Sequence, residues 1–216
     1  ETIRRLPKKC HPMDSIRTGV SFLGCEDTRI WDASPETNLD KAIQLLAKIP
    51  TMVAADYRFK KGLDFIAPNP ALSISENFFH MCFGKVPQKE VVKAFDVSLI
   101  LYAEHEFNAS TFTSRVVAGT GSDMYSAITG GIGALRGPKH GGANEVAFVI
   151  QQRYDNADEA EADIRSRVEK KEVIIGFGHP VYTISDPRNE VIKKVARDLA
   201  EAQENTKMYL IAERLE

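Results

Sequence analysis

The sequence is short of cysteine, of long apolar runs and of strand-like alternation, and each shortage excludes a class of protein. Its three cysteines, Cys10, Cys25 and Cys82, are odd in number and widely spaced. They form neither a disulfide framework nor a CxxC metal or redox pair. Free thiols of this kind fit a reducing cytoplasm, where the chain is expected to reside. The longest apolar runs, such as Leu99 to Ala103, are far too short to span a bilayer. No basic-then-apolar leader opens the sequence. The net charge of -2 gives no electrostatic reason to expect nucleic acid or an anionic membrane as partner. Neither a P-loop nor a GxSxG nucleophile elbow is present. After Gly131 and Gly133 the third position of a dinucleotide fingerprint would be Arg136, so that motif is excluded too.

What remains is an ordinary globular balance, 43% hydrophobic and 27% charged over 216 residues, enough for one large or two small domains. Helical periodicity dominates. Val91, Phe95, Leu99 and Tyr102 share one helical face, with Pro87 placed to open the helix. Val191, Val195 and Leu199 share another, with Asp186 as its expected N-cap and Pro187 as its first residue. Residues 38–60 read as helical, with Pro50 as a kink or break. Residues 158–170 read as a charged, exposed helix. Strand signal is confined to the short run Val173 to Ile175, so the expected fold is all-α. Residues 122–135 are rich in glycine, alanine and serine. Because glycine costs about 1 kcal/mol against alanine in a helix, the stretch is expected to be compensated by close helix–helix approach. A shift toward charge at 151–172 marks a second subdomain beginning after His140. The chain opens on Glu1 without methionine and ends inside a charged helical pattern, which reads as a piece of a longer protein.

The histidines carry the chemical signal. Of five in the chain, three lie in glycine-, asparagine- or proline-marked segments: His105 in LYAEHEFNAS, His140 in RGPKHGGANE and His179 in GFGHPVYTISDPR. Imidazole is the side chain best suited to moving a proton near neutral pH. His140 precedes a helix start, where the positive end of the dipole favours neutral imidazole, still able to polarise a carbonyl through its N–H. Its alternative role is a turn or cap residue. His179 sits before Pro180, which biases it toward extended backbone. His105 lies between Glu104 and Glu106 at a helix end, where a carboxylate partner would equally explain it. Arg188 falls where a helix would begin, a disfavoured place for positive charge. That points either to a carboxylate ligand held bidentately or to a salt bridge with Asp186 or Glu190. His11 and His80 carry no motif. No HxxxH or HxH spacing occurs, so no metal is expected.

Taken together, HPMDSIRTGVS (11–21), LYAEHEFNASTF (101–112), GPKHGGANE (137–145) and GFGHPVYTISDPRN (176–189) resemble the citrate synthase family. The LYAEHEFNAS wording is most similar to bacterial 2-methylcitrate synthases and their short citrate synthase kin. The resemblance implies a helical large domain over 1–140 and a smaller one over 141–216 that closes on the substrates. It also implies a homodimer and an aldol-type condensation: an acyl-CoA, propionyl or acetyl, loses a proton, its enol attacks the ketone of oxaloacetate, and the thioester is hydrolysed. His140 would then hydrogen-bond the thioester oxygen, His179 would donate to the ketone oxygen, and His105 and Arg188 would hold oxaloacetate. No cofactor is implied beyond coenzyme A as co-substrate.

Two departures accompany the resemblance. The family's general-base aspartate lies in a segment beyond this chain, and neither Asp186 nor Asp198 matches it, so the piece by itself is expected to be inactive. Where many members carry a basic residue toward the CoA phosphates, this chain has Thr183; Lys139 and Arg136 are the neighbouring substitutes. Two further readings stand beside the enzyme: a non-catalytic helical module that binds dicarboxylate or CoA, and a zinc hydrolase built on the three histidines.

Overall fold

The computed structural model describes residues 1–178 and 182–216, and His179 therefore lies outside the described residues. Among those described the chain forms eleven α-helices and no strand. They are α1 (Thr2–Arg5), α2 (Pro12–Glu26), α3 (Pro35–Lys60), α4 (Ile74–Phe83), α5 (Lys89–Ala103), α6 (Ala109–Gly119), α7 (Met124–Leu135), α8 (Gly142–Gln151), α9 (Ala157–Glu169), α10 (Asn189–Ala202) and α11 (Lys207–Leu215).

Polar side chains just upstream set most of the starts by accepting orphan backbone N–H groups. His11, without a motif in the sequence, caps α2 through Nδ1, 3.2 Å from the Met13 nitrogen, with Pro12 as first residue. Ser34 caps α3, again with proline following. Ser73 and Glu76 close a reciprocal capping box on α4, and Gly84 ends that helix at φ 75°. Asn108, Asp123 and Asn156 cap α6, α7 and α9. Pro50 does not break its helix: α3 runs on for 26 residues. The start of α10 needs a larger correction. Arg188 occupies the N-cap position and Asn189 begins the helix, because the Asp186 carboxylate is turned onto Arg188 itself. The run Val173 to Ile175 is not a strand; Ile174 is buried and Val173 exposed.

The chain divides into two compact units, Glu1–Gln88 with His105–Gly137, and Lys89–Glu104 with Pro138–Glu216. This differs from a single join after His140, because α5 packs on α10 and so groups with the later helices. In the first unit Ile16, Val20, Leu45 and Tyr125 form the core where α2, α3 and α7 meet. Lys41 is buried there (1% exposed) with every ammonium proton used. Its Nζ donates to the carbonyls of Arg29 at 2.6 Å, Ile30 at 3.1 Å and Asp32 at 2.9 Å. A buried ammonium persists only when so satisfied. The small residues of α7 face α6: a Cβ on Gly130 would lie 3.2 Å from Val117 Cγ2, and one on Gly131 would collide with Ser114 Oγ. A Cβ on Gly133 would meet no described atom within 4 Å, so close approach explains two of the three glycines. In the second unit Ile150, Tyr154, Ala160 and Ile211 join α8, α9 and α11. The α10 face read from the sequence, Val191, Val195 and Leu199, lines a groove of about 640 Å³ opposite Glu90, Lys93 and Ala94 of α5.

Candidate active site

The sequence-selected residues fall in both units, and each part stands on its own helix ends. His105 opens the second segment of the first unit, two residues past the end of α5. Glu106 beside it takes a left-handed φ of 53°, an uncommon conformation for a residue with a Cβ. Immediately after, the Asn108 carboxamide oxygen accepts from the Thr111 amide at 3.0 Å and from the Ser110 hydroxyl at 2.7 Å. The HEFNAS segment is thus a sharp turn tied into the cap of α6. It holds its histidine on a loop anchored by a helix rather than in a packed core.

In the second unit His140 lies two residues before α8, and its carbonyl accepts from the Ala143 amide at 3.0 Å. Gly141 is the N-cap and supplies no side-chain cap. The histidine therefore stands at the mouth of the helix, the placement read from the sequence. Downstream, Gly176 (φ 105°) and Gly178 (φ 81°) take conformations that side chains rarely adopt. A Cβ on Gly176 would approach Ala147 Cβ of α8 to 2.9 Å, so the turn leading toward residue 179 passes hard against the helix that follows His140.

Arg188 is the most closely held of the candidates. Its Nε lies 3.0 Å from Asp186 Oδ1 and its Nη2 2.6 Å from Oδ2, a bidentate pair, and Oδ1 also accepts the Arg188 backbone N–H at 2.9 Å. The salt bridge foreseen as one of the two explanations for Arg188 is thus formed, with Asp186. That hydrogen bond holds the guanidinium pKa above its ordinary value, against the opposing effect of burial. The guanidinium carbon lies 5.8 Å from the centroid of the Tyr102 ring, within cation–π range. Tyr102 in turn receives a hydrogen bond on its hydroxyl from Asn144 Nδ2 at 3.4 Å. The structure thus brings together Tyr102 from the end of α5, Asn144 from the start of α8, and Arg188. Neither Tyr102 nor Asn144 stood out chemically in the sequence, although both lie inside the motif segments.

Of the two neighbouring substitutes for a phosphate contact, Arg136 ends α7 and lies 3.9 Å from Asp14, with a buried Nε that makes no hydrogen bond to a described residue. Lys139 lies in the second unit. Among the described residues no group of three or more His, Cys, Asp or Glu gathers to hold a metal, and no helix is long and apolar enough to cross a membrane.

The sequence profile of the family described as "Citrate synthase, C-terminal domain" matches residues 1–216. A 2-methylcitrate synthase of Mycobacterium tuberculosis (strain H37Rv) is 50% identical over 194 residues, 89% of this chain and 48% of that protein. A citrate synthase of Mycolicibacterium smegmatis is 42% identical over 214 residues, 99% of this chain and 57% of that protein. Among solved structures, the ternary complex of carboxymethyl coenzyme A and oxaloacetate with citrate synthase from Thermoplasma acidophilum superposes with a TM-score of 0.91. It shares 32% identity and covers 100% of this chain and 57% of that one. The chain spans about half the length of the curated relatives it matches.

Proposed function

The chain belongs to the citrate synthase family, and from that premise we propose that it is part of an enzyme condensing an acyl-CoA with oxaloacetate. The match over residues 1–216, which contains all four motif segments, carries this reading. The first reading is 2-methylcitrate synthase, using propionyl-CoA, and it is supported by the relative that is 50% identical. Citrate synthase, using acetyl-CoA, is the second, supported by the relative that is 42% identical and bears that name. One methyl group separates the substrates, worth only about 1–3 kcal/mol of discrimination in an apolar pocket.

In this reading His140, presented at the mouth of α8, donates a hydrogen bond to the thioester oxygen as the enol forms. His179 donates to the oxaloacetate ketone oxygen as that oxygen gains charge, so each developing negative charge meets a fixed donor. Arg188, with a planar array of donors, takes a carboxylate of oxaloacetate, and His105 holds the same substrate. The carbon–carbon bond forms between the enol carbon and the ketone carbon, and water then cleaves the thioester to release CoA. Holding the two reactants in line accounts for several kcal/mol of the barrier. Coenzyme A enters as co-substrate, with no further cofactor. The join of large and small domains near His140, the homodimer and the cytoplasmic location belong to the same proposal.

Thiol release from the full-length protein with oxaloacetate and either propionyl-CoA or acetyl-CoA tests it. A higher kcat/KM for propionyl-CoA establishes 2-methylcitrate synthesis, and a higher value for acetyl-CoA establishes citrate synthesis. No thiol release with either sinks the condensing reading and leaves a module that binds dicarboxylate or CoA.

A further inference from the structure

We propose that Asp186 is the positioning residue for Arg188, occupying one edge of its guanidinium so that the other edge is presented to a carboxylate of oxaloacetate. The inference rests on the reading above that Arg188 holds that substrate.

A guanidinium offers two planar edges that can each grip a carboxylate, Nε with Nη2 and Nη1 with Nη2. Asp186 takes the first edge with both oxygens, at 3.0 Å to Nε and 2.6 Å to Nη2. Nη1 makes no hydrogen bond to a described residue, which leaves the second edge for a ligand. The carboxylate is itself tethered: Oδ1 accepts the Arg188 amide at 2.9 Å, and the residue between the two is Pro187, whose φ is fixed by its ring. Asp186 therefore belongs to the turn that starts α10 and is not a free arm. The guanidinium carbon lies over the Tyr102 ring, 5.8 Å from its centroid, and Asn144 bonds the Tyr102 hydroxyl. One edge is thus held by Asp186, with Tyr102 within cation–π range, before any ligand arrives. A long arginine ordered in advance loses less rotamer freedom on binding, and its affinity for substrate rises accordingly.

The same pair could act in the opposite sense, as a plug that a substrate carboxylate must displace. Geometry favours support. Leaving the Nε edge would give up both hydrogen bonds of the bidentate pair, and the second edge makes displacement unnecessary. The two accounts differ in sign: removing a support weakens oxaloacetate binding, whereas removing a plug strengthens it.

The experiment uses the full-length protein, the acyl-CoA it turns over, and variants Asp186→Ala, Asp186→Asn and Arg188→Lys. Asp186→Ala is expected to raise KM for oxaloacetate about tenfold, the size expected when one long side chain must be ordered on binding. Asp186→Asn keeps the volume and one acceptor and should fall between. KM for acyl-CoA and kcat should stay within about twofold, a split that a general loss of structure would not produce. In the Arg188→Lys background, Asp186→Ala should add little. Titration calorimetry with oxaloacetate alone gives the same comparison without turnover. If Arg188→Lys weakens oxaloacetate while both Asp186 variants leave it unchanged or tighter, the positioning role is overturned and the reading of Arg188 stands. If Arg188→Lys has no effect on oxaloacetate, both fall. Parallel loss of kcat and of both affinities would mark Asp186 as structural only and overturn the proposal.

Discussion

Gly131 and Gly133 lie two residues apart in α7, yet replacing each by alanine should move stability in opposite directions. Both replacements gain about 1 kcal/mol from helix propensity, because alanine loses less backbone freedom than glycine. At Gly133 no described residue opposes the gain, since an added Cβ meets none of their atoms within 4 Å. At Gly131 the Cβ collides with Ser114 Oγ and lies 3.3 Å from the Ser110 carbonyl oxygen, which belongs to the backbone of α6 and cannot swing aside. Forcing a methyl into such a contact costs about 1–3 kcal/mol, so the net effect at Gly131 is a loss of up to about 2 kcal/mol. For a chain of this length each kcal/mol moves Tm by about 2–4 °C. Gly133→Ala should therefore melt a few degrees higher than the parent 216-residue chain, and Gly131→Ala lower. Adding Ser114→Ala removes the colliding oxygen and leaves Ser114 Cβ at 3.8 Å, an ordinary contact. The double variant should then recover about 1–2 kcal/mol in a mutant cycle read by thermal or urea melts. If Gly131→Ala raises Tm as Gly133→Ala does, or if the cycle shows no coupling, the close approach of α6 and α7 is not what compensates these glycines.

Two further predictions concern the polar turn held by Lys41. Asp32 is held down to about 2 by the Ser34 backbone N–H, the Thr37 hydroxyl and, more weakly, Lys41, against an unfolded value near 3.8. A depressed carboxylate stabilises the fold above its unfolded pKa, so this contribution should drain away between about pH 4 and pH 2. Acid melts of Asp32→Asn should be flatter over that window, and an unchanged profile would refute the assignment. Tyr125 behaves in the opposite way: burial, then its hydrogen bond to Asp27, pushes it up to about 12 from 10. The neutral phenol is favoured in the fold, so stability should fall as pH rises from about 10 to 12. Tyr125→Phe should remove that alkaline slope, measurable by urea midpoints across the range.

Much of the helical layout was legible because periodicity is a local property. The face Val91, Phe95, Leu99 and Tyr102 became α5, the charged stretch became α9, and the small-residue segment became α7. Local rules failed where one side chain had two uses. Asp186 before Pro187 has the form of a helix cap, but its carboxylate is spent on the Arg188 guanidinium, and α10 begins later, at Asn189. Pro50 has the form of a break, yet α3 passes through it, with the buried Leu45 upstream and Ala54 and Ala55 downstream in its packed stretch. His11 looked inert because capping depends on where a ring nitrogen points, which composition does not reveal.

The all-α class, the helical faces and the four segments that resemble the citrate synthase family can be read from the chain alone. Those follow from residue type and spacing along the chain. The folded chain alone reveals that α5 sides with the later helices, that Tyr102 meets both Asn144 and Arg188, and which edge of the guanidinium is occupied. Tyr102 and Arg188 are 86 residues apart in numbering, so their contact depends on how α5 packs against α10 and not on any local preference. Hydrogen-bond partners are chosen by distance and direction in space, which no one-dimensional spacing encodes.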